Sequence, residues 1–336
     1  MPPLIERYRE RLPVTEATPV VSLGEGSTPL LPAPRISERL GLDVRVKWEG
    51  ANPTGSFKDR GMTVAISKAL EEGARAVICA STGNTAASAA AYAARAGLAA
   101  VVLQPEGAVA LGKLAQARAL GARVLAVRGR FDEGLAAARV LAARGTHVLV
   151  NSLNPFRIEG QKTAAFEIVE ELGAAPDALA LPYGGGGNLR AYALGFAQAG
   201  VGLPRLVAGE AAERATTVAS AIRIVAPVHA AQVAEALEAS DGAVVPLSDE
   251  EILAAWRELA HEEGILCEPA SAAGLAACDK LVRAEGRGRL QLPAGSRVVC
   301  VVTGHGLKDP ETASRLSPEP VVVAADPDAI AEAAAA

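Results

Sequence analysis

From residue 75 onward, short apolar runs alternate with stretches whose apolar residues recur at helical spacing. Arg75 to Ala80 (RAVICA) reads as a strand and Asn84 to Arg95 as an alanine-rich helix. Ala99 to Gln104 is the next strand, Gly112 to Leu120 the next helix, and Arg123 to Val127 a third strand. Asp132 to Arg144 carries Leu135, Arg139, Val140 and Ala143 at helical spacing, with Asp132 as cap or first-turn acid, and His147 to Val150 closes the set. After Asn151 the rhythm resumes. Helices are expected over Glu159 to Leu172 and Asn188 to Gln198, with strands at Ala178 to Leu181 and Arg205 to Ala208. Residues 212–242 are less regular. Ser248-Asp249-Glu250-Glu251 is a capping box opening an amphipathic helix to His261. Ala270 to Val282 reads as a small-residue helix, Arg297 to Val302 as a buried β-branched strand, and Ser317 onward as a peripheral strand or extension with a frayed alanine-rich end. Short, continuously apolar strands separated by helices predict parallel sheets covered on both faces, joined by right-handed crossovers. The expected class is α/β, with two open, mostly parallel, three-layer α/β/α units.

Half of the 336 residues are hydrophobic, enough for one large domain or two modest ones. Only 3% are aromatic, which disfavours stacked-base recognition of single-stranded nucleic acid, and a net charge of -5 offers no basic field for a phosphate backbone. Every apolar run is interrupted well before the roughly 18 residues of a membrane span. Residues 1–12 lack the apolar core of a signal peptide, so a cytoplasmic enzyme is expected. Cys79, Cys267, Cys278 and Cys300 are dispersed in apolar or small-residue contexts, which suits reduced core thiols. The histidines are dispersed too, and no bound metal is indicated.

Candidate chemistry starts at Asn52-Pro53-Thr54-Gly55-Ser56-Phe57-Lys58-Asp59-Arg60. Pro53 and Gly55 break the chain, Ser56 is placed to cap a helix, and Lys58 then falls in its first turn, where the helix dipole disfavours a positive charge. Such a lysine is either a surface residue near a helix start or one that loses its charge, for example as an imine to an aldehyde cofactor. Four polar segments follow expected strands, where open α/β sheets bind ligands. Ser81-Thr82-Gly83-Asn84-Thr85 can hold a carboxylate or phosphate, or is an ordinary well-capped turn. Gly184-Gly185-Gly186-Gly187-Asn188 is a flexible loop or an anion cradle suited to a phosphate monoester, and it matches neither the dinucleotide fingerprint nor a P-loop. Asn151-Ser152-Leu153-Asn154-Pro155-Phe156-Arg157 offers donors for a second anion, though Asn-Pro turns are common on surfaces. Thr303-Gly304-His305-Gly306 presents a hydroxyl from a strand end. A lysine able to form an imine together with a phosphate cradle suggests pyridoxal phosphate, an electron sink.

Read together, these segments resemble the threonine synthases, pyridoxal-phosphate (PLP) enzymes of the tryptophan-synthase-β-like fold (fold type II). The likeness runs over about residues 20–315 and includes GEGSTPL (Gly24 to Leu30), KWEGANPTGSFKDRG (Lys47 to Gly61), STGNT, NSLNPFRIEGQKT (Asn151 to Thr163), EPASAA (Glu268 to Ala273) and TGHGLKD. The Asn151–Arg157 segment followed by Glu-Gly-Gln-Lys-Thr is its most specific mark. The resemblance implies that Lys58 is the Schiff-base lysine, that Phe57 lies beside the cofactor, and that Asn84 bonds the cofactor's 3-hydroxyl. Gly184, Gly185, Gly186, Gly187 and Asn188 would hold its phosphate, and Thr303 would face the pyridine nitrogen. Ser81, Thr82 and Thr85 would serve the substrate carboxylate, with Thr85 reaching towards the phosphate. Asn151, Ser152, Asn154 and Arg157 would form the substrate-phosphate pocket. The implied reaction converts O-phospho-L-homoserine and water to L-threonine and phosphate in a homodimer.

The same resemblance implies a large PLP-binding domain from 1–52 and 147–320, a small mobile domain over 53–146 and an extension over 321–336. Two other classes stay open: a threonine or serine dehydratase-like PLP lyase, and a non-catalytic PLP or anion-binding protein. One departure bears on the substrate. Where the family commonly has Ile-Arg-Ile-Gly-Asn-Pro, this chain has Ile222-Arg223-Ile224-Val225-Ala226-Pro227. If that loop lines the cleft, both its polarity and the substrate fit change.

Overall fold

The computed structural model describes residues 2–107, 111–129, 131–284 and 291–335. Among the described residues, ten strands form two sheets. β1 (Leu30–Pro32), β2 (Asp43–Trp48), β7 (Ala178–Pro182), β8 (Arg205–Ala211), β9 (Ala243–Leu247) and β10 (Arg297–Val302) make a six-stranded sheet ordered β1-β2-β10-β7-β8-β9. β3 (Ala76–Ala80), β4 (Ala99–Pro105), β5 (Arg123–Val127) and β6 (Val148–Leu149) make a four-stranded sheet ordered β5-β4-β3-β6. Every pairing is parallel except β1 with β2, at an edge. Burial on both faces explains the unbroken apolar runs. In β10, Val298, Cys300 and Val302 pack into one core, while Val299 and Val301 point into another with Leu179 and Leu181. In β3, Val77 and Cys79 face one core and Ile78 and Ala80 its opposite. The architecture is the mostly parallel three-layer arrangement expected from the sequence.

Several local expectations change. The helix expected over Glu159 to Leu172 is two, Pro155–Gln161 and Thr163–Leu172, meeting at Lys162. Residues 212–242 contain the helix Ala230–Ala239, and β9 follows it. The alanine-rich C-terminus is not frayed but forms the helix Pro327–Ala335, preceded by Val321 and Val322 in irregular, exposed backbone rather than a strand. β6 lies within 147–320, the stretch expected to join the larger unit, yet it pairs with β3 through Val77↔Val148 and Ile78↔Leu149. The smaller sheet therefore extends to Leu149. All four cysteines are buried and free. Among the described residues, no helix is long and apolar enough to cross a membrane, and no cluster of three or more side chains could hold a metal ion.

A sealed polar network ties the larger sheet to the segment that carries Lys58. Arg60, 0% exposed, donates to both carboxylate oxygens of Glu49 (2.7 and 2.8 Å) and of Glu167 (2.7 and 2.6 Å). Lys47 donates to Glu167 (2.8 Å) and to the Thr28 carbonyl (2.7 Å). The two cations and two carboxylates balance, and such a group holds together only if every member stays paired.

Candidate active site

The helix Lys58–Glu71 begins without the expected serine cap. Phe57 occupies the cap position, and Ser56 Oγ is buried with no hydrogen-bond partner. Ser56 instead pairs as an isolated bridge with Gly304, and Phe57 N–H donates to the Thr303 carbonyl at 3.0 Å. No side chain caps the helix; Asp59, in its first turn, binds the preceding turn instead. Its carboxylate accepts from Thr54 N (2.7 Å), Thr54 Oγ1 (2.6 Å) and Ser88 Oγ (2.6 Å), which folds the Pro53–Gly55 turn back onto the first helical turn. Lys58 is thus the first helical residue, placed beside the end of β10 by the main-chain bonds of Gly55 to Phe57 just before it.

Two glycines let a second helix touch this one backbone to backbone. A Cβ on Gly160 would lie 2.0 Å from the Arg60 carbonyl oxygen, and one on Gly61 would lie 2.5 Å from the Arg157 carbonyl oxygen. This contact brings Arg157 next to Lys58, and it accounts physically for the glycine in the Glu-Gly-Gln-Lys-Thr mark. Gly160→Ala should therefore lower stability by about 3 kcal/mol or more, because backbone would have to move. An alanine variant that melts within about 1 kcal/mol of wild type would show the helices can part freely.

Lys58 is half-buried, with its amine 4.2 Å from the Phe57 ring centroid. Burial, and secondarily the charge of Arg157, push its pKa down to about 7, against the opposing pull of Glu268. The lowered pKa frees part of this amine from its proton near neutral pH, as a nucleophile or proton carrier requires. Burial likewise pushes Arg157 down to about 10. Arg157 is 0% exposed, and it donates from Nη1 to the Val150 carbonyl at 2.7 Å, while Nε and Nη2 have no partner.

The other expected residues gather at the carboxyl ends of β3, β6, β7 and β10. Asn84 opens the helix Asn84–Ala96 and donates to Glu268 Oε1 at 2.7 Å, leaving its Oδ1 unpartnered. Ser81, Thr82 and Thr85 are partly exposed around it, and Ser81 Oγ accepts from Gly83 N at 3.2 Å. Thr303 Oγ1 lies 3.0 Å from Ser271 Oγ, which also accepts from Gly304 N. Gly184 to Gly187 lead from β7 into the helix Gly187–Ala199, and the amide nitrogen of Asn188 has no partner.

Two asparagines are engaged differently from expectation. Asn151 accepts from Ala80 N and donates to the Ala80 carbonyl, prolonging the β3–β6 pairing. Asn154 caps the helix Pro155–Gln161 by accepting from Phe156 N and donates to the Leu149 carbonyl. Both build the loop, and each keeps one N–H and one lone pair for a ligand. Sequence reading missed Glu268 and Ser271, although EPASAA was noted, and it missed His229. His229 N–H donates to the Gly185 carbonyl at 3.1 Å, its Cβ borders Gly186 and its ring borders Gly187.

The departure at Val225-Ala226 is resolved by its orientation. The loop does lie on the glycine segment, through Ile222 and Ile224 against Gly184, but Val225 is 72% exposed and Ala226 is also exposed. Neither side chain is packed against the glycine segment.

The family model for pyridoxal-phosphate dependent enzymes matches residues 21–304. The chain belongs to that family. It is 53% identical to a threonine synthase of Synechocystis sp., over 97% of this chain and 88% of that one. It is 50% identical to the threonine synthases of Halalkalibacterium halodurans (97% and 95% covered) and Mycobacterium tuberculosis (98% and 95% covered). Among solved structures, maize serine racemase superposes with a TM-score of 0.75 at 21% identity, covering 93% of this chain and 96% of that one, which shows the fold. A threonine deaminase from T.th. superposes at 0.70 with 28% identity, covering 90% and 96%.

The residues present fit the PLP cofactor of this family. At Gly186, φ is +84°, and a Cβ would meet Val233 Cγ2 at 2.7 Å, so the loop is confined to glycine where backbone must approach a phosphate. Asn84 Oδ1, Asn188 Nδ2 and Ser56 Oγ are buried polar atoms without protein partners, which a polar ligand would satisfy.

Proposed function

We propose that this enzyme converts O-phospho-L-homoserine and water to L-threonine and phosphate, as a cytoplasmic homodimer, in the cleft between the two sheets. The observation that carries the substrate choice is Arg157. It is a buried guanidinium within electrostatic reach of Lys58, with no hydrogen-bonded carboxylate and two N–H-bearing nitrogens unsatisfied. Such a group favours an anion, and a phosphorylated substrate brings one. Engaging it requires a shift of the 151–157 loop, consistent with a mobile smaller unit closing on substrate.

When bound, pyridoxal phosphate supplies an electron sink for the substrate's α carbon. Lys58 would hold the cofactor, then take the proton from Cα and help return protons along the chain, a task suited to an amine with pKa about 7. Asn84, oriented by Glu268, would bond the ring oxygen. Gly184 to Asn188 would bind the cofactor phosphate, and Thr303, oriented by Ser271, would face the ring nitrogen. Ser81, Thr82 and Thr85 would hold the substrate carboxylate. Ser152 and Arg157, on a loop built by Asn151 and Asn154, would bind the leaving phosphate.

Purified enzyme offered O-phospho-L-homoserine, L-threonine and L-serine separately should release equal threonine and phosphate from the first and far less 2-oxo acid from the others. Arg157→Ala should lower kcat/KM for phosphohomoserine roughly 10- to 100-fold through the lost charged hydrogen bonds, while the cofactor's spectrum stays nearly unchanged. Fast oxo-acid release without phosphohomoserine turnover would assign a dehydratase instead.

A further inference from the structure

We propose that His229 is a positioning residue that straps the substrate-phosphate loop to the cofactor-phosphate cradle and so sets the spacing between the two anion sites. The inference rests on the substrate reading above. His229, 4% exposed, sits before the helix Ala230–Ala239, on the loop that departs from the family pattern. Its main chain holds the glycine segment, with His229 N–H donating to the Gly185 carbonyl (3.1 Å). Its ring reaches across to the other loop, with Nε2 3.0 Å from the Ser152 carbonyl. Arg190 Nη1, from the helix that follows the glycines, lies 3.4 Å from Nδ1.

These contacts select one tautomer. Arg190 can only donate, so Nδ1 accepts, and Nε2–H must then donate to the Ser152 carbonyl. Burial, Arg190 and Lys58 all disfavour the charged ring, against the Ser152 bond. The neutral imidazole is therefore a fixed link with a donor at one end and an acceptor at the other. It spans three pieces of chain: the 151–157 loop, the glycine segment and the start of the Gly187–Ala199 helix. Because the ring touches the Ser152 main chain, losing it should misplace that loop while leaving the amino-acid end of the site unaltered.

The test compares His229→Leu, which fills the space without hydrogen bonds, with His229→Gln, which can both donate to Ser152 and accept from Arg190. In cofactor-loaded protein, H229L should raise KM for O-phospho-L-homoserine about tenfold or more and change kcat less than about threefold. H229Q should stay within about threefold of wild type on both. Binding of L-threonine, which has no phosphate, followed by its perturbation of the cofactor absorbance, should shift less than about twofold in either variant. If H229L does not fold, Arg190→Met, which removes the donor to Nδ1, should show the same split. Unchanged KM in H229L, a parallel loss of threonine binding, or failure of H229Q to rescue would overturn the strap. A wild type that makes no threonine from phosphohomoserine would instead overturn the substrate reading.

Discussion

Lys58→Ala should reduce threonine formation by more than about 10⁴-fold, since in the proposed mechanism one residue serves as cofactor anchor and proton carrier, and a positioned acid–base group alone contributes about 10²–10⁴-fold. The variant should nevertheless fold. A lysine at the first helical position opposes the helix dipole, so its removal gives back a few tenths of a kcal/mol. The proposed phosphate cradle at Gly184 to Asn188 does not involve Lys58, so the variant should still bind cofactor, though without the covalent link. In wild type, borohydride reduction and peptide mapping should put the pyridoxyl mass on Lys58. Label on another lysine, or an alanine variant within tenfold of wild-type turnover, would refute the assignment.

Arg60→Met should lower stability by about 3–5 kcal/mol, the range for breaking a buried ion pair from one side. Arg60 makes four of the bonds between Glu49, Glu167 and the Lys58 helix. Without it, Lys47 alone faces two carboxylates, and one net negative charge is left in a site closed to water. The pH dependence has a definite sign. Burial pushes the Glu167 carboxyl up, but Arg60 and Lys47 outweigh it and hold it well below the usual range. The wild-type contribution is therefore present above the unfolded carboxylate pKa and is lost as pH falls through the depressed folded value. In Arg60→Met the depression weakens, protonation relieves the stranded charge, and the gap to wild type should narrow between pH 7 and about pH 4. Urea midpoints across that range are the measurement. A gap independent of pH would mean that lost packing, not charge, is responsible.

The two halves of that network were unequally visible beforehand. Arg60 and Glu49 lie in the KWEGANPTGSFKDRG segment, yet nothing in that string says that Arg60 is sealed against Glu167, more than a hundred residues away. Ser56 shows the opposite failure. It has the residue type and spacing of a cap, but its backbone pairs with Gly304 just past β10, and the helix starts with no side-chain cap. Local preference lost to a long-range pairing.

The alternation of short apolar strands with helices, read from the chain alone, determined the α/β class and the parallel sheets, because strands buried on both faces have no polar alternation to lose. The same reading singled out Lys58, the glycine segment, the 81–85 and 151–157 loops and Thr303 as candidates, and the structure sets the last four at the carboxyl ends of strands. Strand order, the edge strand β1 and the presence of β6 in the smaller sheet were decided only by tertiary packing, because pairing depends on which faces meet. So were the tasks of Asn151 and Asn154, the outward turn of Val225, and the meeting of Glu268, Ser271 and His229 with the cleft. A side chain's partners are set by the folded backbone around it, and distant residues such as Ser152, Gly185, Arg190 and His229 share an environment only once the 151–157 loop and the glycine segment are in place.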